Sequence, residues 1–410
     1  MNYRVSGKLS NIEGMITVPA SKSISNRLLI IQALCNNKFN ISNLSTSEDT
    51  RVLVNALQSP NKIADIGHAG TSMRFLTAFY ASNEGEKILT GSDRMKERPI
   101  GNLVNALKKL GAEIEYTEKE GFPPLLIKGK QLNGGSVNID SSVSSQFISA
   151  LLLSSPTFKN GLELELENKV ISSSYIEMTL KLMAFANVKV EKQNNKLIVR
   201  PQNYSASDIE VEGDWSGVSY WYQIAALASK ARIEIKSLKE NSLQGDAQCA
   251  AIFAKLNIKT EYLKEGIRIY KEGTLPEHFD FDFLENPDLV QTLAVTCVML
   301  KIPFQFTGTQ SLRIKETDRI LALQNELGKF GVLLKYTNDG TLSWDGTFPG
   351  EIQNTPIIST YHDHRMALAF APIAATGNDI IINDPGVVIK SYPSFWEDLK
   401  KLGFEIIEES

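Results

Sequence analysis

Four times along this chain a helix-like stretch runs into a Gly or Asn, then into two short strands with a polar turn between them. The copies are ALKKLGAEIEYTEKEGFPPLLIKGK, LKLMAFANVKVEKQNNKLIVRPQ, AIFAKLNIKTEYLKEGIRIYKEG and NELGKFGVLLKYTNDGTLSWDG, and a partial copy, DLKKLGFEIIEES, closes the sequence. The punctuating residues are Gly111, Asn187, Asn257, Gly331 and Gly403, spaced by 76, 70, 74 and 72 positions. Gly and Asn are the residues that accept the left-handed backbone just past a helix end. Alternation such as Val188 with Val190, or Ile267 with Ile269, suits a strand buried on one face. A period this long exceeds that of solenoid repeats, so each unit is expected to be a small α+β subfold.

The 410 residues hold five to six such units and exceed what one core supports, so two domains are expected. A switch near Pro19–Ser21 with a return near Gly213–Ser216 divides the repeats into halves: 20–213 as one domain, 1–19 plus 214–410 as the other. Gln146–Leu153 and Ser219–Ala228 string small and apolar residues with few charges, as helices inside a domain do.

The net charge of -4 argues against a dedicated nucleic-acid binder, without excluding a local basic pocket. Cys35, Cys249 and Cys297 lie far apart with no CxxC pair, so neither a disulfide framework nor a zinc site is expected. The N-terminus lacks the apolar core of a signal peptide, and no apolar stretch is long enough for a bilayer. A cytoplasmic protein is expected.

Candidate chemistry sits at helix starts. Thr17–Arg27 (TVPASKSISNR) runs from a strand through a proline into a helix that Ser21 can cap, leaving Lys22, Ser23 and Arg27 near its positive end, a natural anion site. The stretch 68–74 (HAGTSMR) is a Gly-Thr turn opening a second helix, with Gly70 at the turn and Arg74 one turn in. In 94–99 (RMKERP), Arg98 precedes a proline expected to start a helix. Ser144, Ser145 and Gln146 offer uncharged donors before an apolar helix, and Ser172 with Tyr175 repeat the idea. Lys315, Glu316 and Arg319 are read as one helical turn, with the two cations paired across an anion. His362, Asp363 and His364 suggest a metal only weakly, because no further ligand cluster accompanies them. Lys390 closes the set.

Together these motifs resemble one family, 5-enolpyruvylshikimate-3-phosphate (EPSP) synthase, of the enolpyruvyl transferases. The carriers are SKSISNR (21–27), AGTSMR (69–74), DRMKERP (93–99), SVSSQF (142–147), NSLQGD (241–246), NPD (286–288), RIKETDR (313–319), YHDHRMA (361–367) and DPGVVIKSYP (384–393), in family order from end to end. The resemblance implies an α/β (α+β) fold: a two-domain inside-out barrel of βαβαββ repeats, with pseudo-threefold symmetry in each domain and a ligand-closed cleft between them. It implies transfer of the enolpyruvyl group of phosphoenolpyruvate to the 5-hydroxyl of shikimate 3-phosphate, releasing phosphate, with no cofactor and no metal, by a monomer.

Carried over position by position, Lys22, Gly70, Arg98, Gln146, Arg319, Arg365 and Lys390 are implied to hold phosphoenolpyruvate. Lys22, Ser23, Arg27, Ser144, Ser145, Gln146, Ser172, Tyr175, Asp288, Ser311 and Lys315 are implied to hold shikimate 3-phosphate. Asp288 would take the hydroxyl proton, with Glu316 and Lys22 serving protonation of the methylene and its reversal. The retained Gly70 suggests sensitivity to glyphosate. The sequence departs from the family at Ala20, where Gly is usual, and at His68 and Ser311, where Asn is usual. The stretch 51–67 is also short, so the first repeat is expected to keep a helix (Arg51–Leu57) and lack its hairpin. The sister transferase acting on UDP-N-acetylglucosamine typically carries a reactive Cys on a Gly/Arg-rich loop, and none of the three cysteines sits in one. A non-catalytic metabolite-binding homologue is opposed by intact Asp288, Glu316 and Lys22.

Overall fold

The computed structural model describes residues 1–7, 11–35, 37, 39–348 and 355–409. The chain divides into two compact units, Ser21–Val211 on one side and Met1–Ala20 with Glu212–Ser410 on the other.

In the unit Ser21–Val211, one repeat runs strand Ile63–Asp65, helix Gly70–Ser82, strand Gly85–Thr90, helix Gly101–Lys109, then strands Glu113–Tyr116 and Leu125–Gly129. The first two strands pair in parallel, which demands a crossover such as the first helix provides. The last strand pairs antiparallel with both the second and the third, giving the sheet order first, second, fourth, third. Strands Gly135–Asp140, Leu162–Glu167, Val190–Gln193 and Lys196–Val199 repeat that order. The remaining repeat has helices Lys22–Leu34 and Glu48–Gln58, but its sheet is only Ile41–Ser42 beside Ile209–Glu210. After Gln58 the chain enters strand Ile63–Asp65 directly, so the hairpin is absent, as the short stretch 51–67 predicts.

The other unit holds three four-stranded sheets in the same order. In one, Ile233 faces Ile269 and Ile235 faces Ile267, all buried, which is the alternation read from the sequence. Another is completed from the far end of the chain: strand Asn2–Ser6 inserts antiparallel between Ile380–Asn383 and Glu405–Glu409. The closing partial copy is therefore a full repeat whose fourth strand is the N-terminus. Of that copy, Ser410 lies outside the described residues.

All five punctuating residues adopt positive φ: Gly111 103°, Asn187 60°, Asn257 63°, Gly331 73° and Gly403 89°. Each donates its amide three residues back, Gly111 to the Lys108 carbonyl at 3.0 Å for example. At four of them the following amide reaches five residues back: Ala112 to Leu107, Val188 to Met183, Val332 to Leu327 and Phe404 to Leu399. That pair of bonds is the Schellman closure, and the residue that follows is buried each time, sealing the helix end against the core.

In every complete repeat the first helix is nearly all buried and the second is amphipathic. Helices Trp215–Leu227, Val290–Met299 and His364–Phe370 pack on one another, as do Gly70–Ser82 and Ser145–Ser154. Helix Gly101–Lys109 instead buries Leu103, Val104, Ala106 and Leu107 and points Lys108 and Lys109 outward. Burying an entire helix leaves only its ends for polar chemistry, and Gly70, Gln146, Asp288 and Arg365 sit at or beside such ends.

Candidate active site

In the unit Ser21–Val211, Ser21 caps the first helix by accepting from the Ile24 amide at 3.4 Å. Lys22 then begins that helix and donates to Asp49 Oδ2 at 3.0 Å. Asp49, buried in the first turn of Glu48–Gln58, is a site contact that motif reading passes over as ordinary helix-start acid.

One turn on, Arg27 is buried and spreads its guanidinium over oxygens of neutral groups. It donates to Thr179 Oγ1 at 2.7 Å, to the Ser23 and Tyr175 carbonyls at 2.9 and 3.1 Å, and to Ser149 Oγ at 3.3 Å. The rings of Phe75 and Tyr175 lie 5.4 and 6.0 Å from it. Burial lowers its pKa to about 10, against a small opposing contribution from Tyr175.

Gly70 is the first residue of helix Gly70–Ser82, and Arg98 packs on its bare Cα face. A Cβ there would stand 2.6 Å from Arg98 Nη1, 2.9 Å from Nη2 and 3.0 Å from Cζ. Arg74 braces both segments, donating to the Gly70 carbonyl and the Pro99 carbonyl at 3.2 Å each. Gln146 Nε2 donates to Thr71 Oγ1 at 3.3 Å, joining the start of Ser145–Ser154 to the Gly70 turn. Ser144 caps that helix through the Gln146 amide, with Ser145 buried behind it. Ser172 precedes helix Ser173–Phe185 with φ 53°, and its carbonyl accepts from the Tyr175 amide at 3.1 Å. Pro99 does not start a helix: Arg98 lies between helices Asp93–Lys96 and Gly101–Lys109, whose cap is Ile100.

In the other unit, Arg319 is the organising cation. It is buried and touches three carboxylates: Asp363 through Nε at 2.8 Å, Glu316 through Nη2 at 2.9 Å and Asp288 through Nη1 at 3.1 Å. Burial alone would lower its pKa, but Asp363, Glu316 and Asp288 together raise it. Arg365 donates to the second oxygen of Asp288 at 2.6 Å and to Tyr220 Oη at 3.2 Å. Lys390 donates to Glu316 Oε1 at 3.1 Å. Asp363 also caps helix His364–Phe370, accepting from the Arg365 amide at 3.0 Å, so one carboxylate fixes both arginines. For Asp288, burial pushes the pKa up, yet Arg365, Arg319 and Lys315 outweigh it and hold the carboxyl well below its usual range.

The structure corrects one reading here. Lys315 and Glu316 do not share a helical turn with Arg319. Gln310–Ile314, which holds Ser311, is a 3-10 turn; Lys315 is extended, and the α-helix begins only at Arg319, capped by Asp318. Asp318 explains the break, because its carboxylate accepts the Leu321 amide at 3.1 Å and so favours a helix start there. Glu316 reaches Arg319 from the preceding loop.

The two histidines of YHDHR part company. His364 is buried beside Asp363, while His362 is exposed and pairs with Asp384 Oδ2 at 3.1 Å. Among the described residues no group of three or more His, Cys, Asp or Glu side chains is arranged to hold a metal ion. Nor is any described helix long and apolar enough to cross a membrane.

Comparison with known proteins gives this geometry a family. The model of EPSP synthase (3-phosphoshikimate 1-carboxyvinyltransferase) matches residues 7–60 and 53–399. The chain belongs to the EPSP synthase family. It is 51% identical over 407 residues to the 3-phosphoshikimate 1-carboxyvinyltransferase of Bacteroides fragilis (strain YCH46), covering 99% of each. It is 37% identical over 423 residues to that of Aliivibrio fischeri (strain MJ11), covering 96% of this chain and 98% of the relative. An EPSP synthase structure from Acinetobacter baumannii superposes with a TM-score of 0.79 at 22% identity, covering 99% of this chain and all of the other, so the fold is shared end to end.

Proposed function

We propose that the chain transfers the enolpyruvyl group of phosphoenolpyruvate to the 5-hydroxyl of shikimate 3-phosphate, giving 5-enolpyruvylshikimate 3-phosphate and inorganic phosphate. Membership of the family supports the reaction. The observation that carries the site assignment is Asp288 held between Arg319 and Arg365, with Glu316 bridging Arg319 and Lys390.

Both substrates are polyanions, so the reaction needs cations to offset their mutual repulsion, and arginine forks suit carboxylate and phosphate. Lys22, Arg98, Arg319, Arg365 and Lys390, with Gly70 and Gln146, hold phosphoenolpyruvate. Lys22, Ser23, Arg27, Ser144, Ser145, Gln146, Ser172, Tyr175, Ser311, Lys315 and Asp288 hold shikimate 3-phosphate. The 5-oxygen adds to the enol carbon while the methylene gains a proton from Glu316 or Lys22. Phosphate then leaves as a proton is lost again from the methyl group, which restores the double bond. Asp288 accepts the hydroxyl proton.

In the ligand-free protein Asp288 is too well paired to be a good base. An incoming carboxylate or phosphate that shares Arg319 and Arg365 draws those cations off and raises the proton affinity of Asp288, so binding itself prepares the base. The reading is tested by Asp288→Asn. Turnover should fall roughly 10²- to 10⁴-fold, the range for one general base, while binding of shikimate 3-phosphate in a direct titration is spared. Turnover near that of the parent would remove Asp288 from the role. Gly70, whose lack of a side chain lets Arg98 sit against the turn, supports competition by glyphosate against phosphoenolpyruvate, read as an inhibition curve. We take the enzyme to act as a cytoplasmic monomer, which sedimentation of the purified chain checks for the oligomeric state.

A further inference from the structure

A second buried carboxyl, from the NSLQGD motif, lies against the same centre and has no part in the chemistry above. Asp246 is 3% exposed. Its Oδ2 accepts a hydrogen bond from Ser216 Oγ, on the first turn of helix Trp215–Leu227. Its Oδ1 accepts from Asn286 Nδ2 at 3.2 Å, and the same amide donates to the Gly245 carbonyl at 3.0 Å. Asn286 is the residue from which the turn Pro287–Leu289 starts, and that turn carries Asp288. Asp246 thus anchors the segment that aims Asp288.

We propose that Asp246 is a positioning residue for the transfer reaction, a carboxyl held by Ser216 and Asn286 whose charge sets how strongly Asp288 binds a proton. The inference rests on the reading of Asp288 as the base.

The surroundings of Asp246 favour a change of charge. Among the groups facing it, Asp288 repels its ionised form, and Arg365, which favours that form, is already engaged by Asp288 at 2.6 Å. From helix Cys249–Ala254 the Cys249 thiol faces it, but burial and Asp246 itself push that thiol well above its ordinary pKa, so it stays neutral. Asp214, on the helix that carries Ser216, is occupied in capping that helix through the Ser216 and Gly217 amides. Burial, then the charge of Asp288, raise Asp246 to about 6, against the opposing effects of the Ser216 bond, Arg365 and the Asn286 bond.

The consequence is directional. Above pH 6 Asp246 is negative, and its repulsion raises the proton affinity of Asp288, making a better base. Below pH 6 it takes up a proton, the repulsion vanishes, and Asp288 falls back to the grip of its arginines. On this reading a limb of turnover near pH 6 follows the charge of Asp246, and removing that charge is what tells it from a limb set by Asp288 itself.

The experiment is kcat against pH for the full enzyme with saturating shikimate 3-phosphate and phosphoenolpyruvate. Asp246→Asn keeps the shape and an acceptor oxygen but fixes the neutral state. We expect its plateau kcat to drop roughly 10-fold and the limb near pH 6 to disappear, with the KM values nearly unchanged. A limb retained at the same pH in Asp246→Asn overturns the proposal. Ser216→Ala removes a bond that favours the ionised form, so it should move the limb to higher pH; if Asp246→Asn does not fold, an unmoved limb in Ser216→Ala overturns the proposal instead. Loss of turnover in Asp288→Asn tests the base assignment separately, so failure of either idea can be told from failure of the other.

Discussion

Replacing Gly70 by Ala separates the stability of the fold from the placement of one guanidinium. Gly70 has an ordinary helical backbone, not one of the positive-φ glycines, so alanine fits its conformation. On propensity alone the change should stabilise the helix by up to about 1 kcal/mol. The new methyl, however, would stand 2.6 Å from Arg98 Nη1 and 3.0 Å from Cζ. Carbon contacts settle at about 3.5 to 4.0 Å, so the guanidinium must retreat by roughly 1 Å. Arg98 has room to move only at its tip, because its backbone is pinned by the Met95 carbonyl and Arg74 holds the adjoining Pro99 carbonyl.

A displacement of about 1 Å in a positioned group can cost roughly 10²-fold in rate. The expected result is a thermal midpoint equal to or slightly above that of the parent, and kcat/KM for phosphoenolpyruvate reduced by between about 10- and 100-fold. The loss should appear mainly in KM, with affinity for shikimate 3-phosphate spared. Parent-like kinetics would mean that Arg98 does not contact phosphoenolpyruvate; a lower midpoint with parent-like kinetics would mean that the glycine serves packing alone.

Other perturbations should separate as cleanly. Arg319→Met strands Asp288, Glu316 and Asp363 without their shared cation, and leaving a buried charge uncompensated typically costs about 3 to 5 kcal/mol, readable as a fall in the denaturant midpoint. Arg27→Met should do the reverse. Thr179 Oγ1 keeps its partners at Ser149 Oγ and the Tyr175 carbonyl, both 2.9 Å away, while a buried cation is removed, so stability holds or rises as shikimate 3-phosphate binding weakens. Asp246 has a pH signature of its own in the unfolding free energy. Its folded-state pKa of about 6 lies above the ordinary carboxylate value, so the native state binds more protons, and between about pH 4 and 6 the parent should lose stability with rising pH relative to Asp246→Asn.

The repeat was legible because it rests on local backbone chemistry. Gly111, Asn187, Asn257, Gly331 and Gly403 each close a helix by adopting a left-handed conformation, and residues suited to that conformation show in the sequence. Contacts between distant segments were not legible in that way. Nothing in MNYRVS says that it will be the fourth strand of the last sheet, because that pairing is decided by a sheet edge some 375 residues downstream. The apparent pairing of Lys315 with Arg319 failed for a local reason, the capping carboxylate of Asp318 between them, and capping should have outranked spacing there. Asp49 and Asp246 went unassigned because acids at helix starts are common, and Asp363 was read only with its flanking histidines as a weak metal candidate. Only packing shows that Asp49 meets Lys22, that Asp363 meets Arg319, and that Asp246 meets the segment leading to Asp288.

Arg27 and the cations around Arg319 are built on opposite electrostatic plans. Arg27 is buried among hydroxyls, carbonyls and rings, and its lowered pKa marks a charge that gains from any anion placed beside it. A phosphate arriving there would relieve a cost the fold already carries, which suits Arg27 to tight anion binding. Arg319, Arg365 and Lys390 are instead paired with Asp288, Glu316 and Asp363. An anion arriving at them gains less, because it must share cations with carboxylates already in place. What that exchange supplies is reactivity: each cation drawn toward the ligand leaves Asp288 or Glu316 a stronger proton acceptor than before. Arg27 is therefore suited to holding a substrate, and the cluster around Arg319 to converting the binding of an anion into acid–base capability.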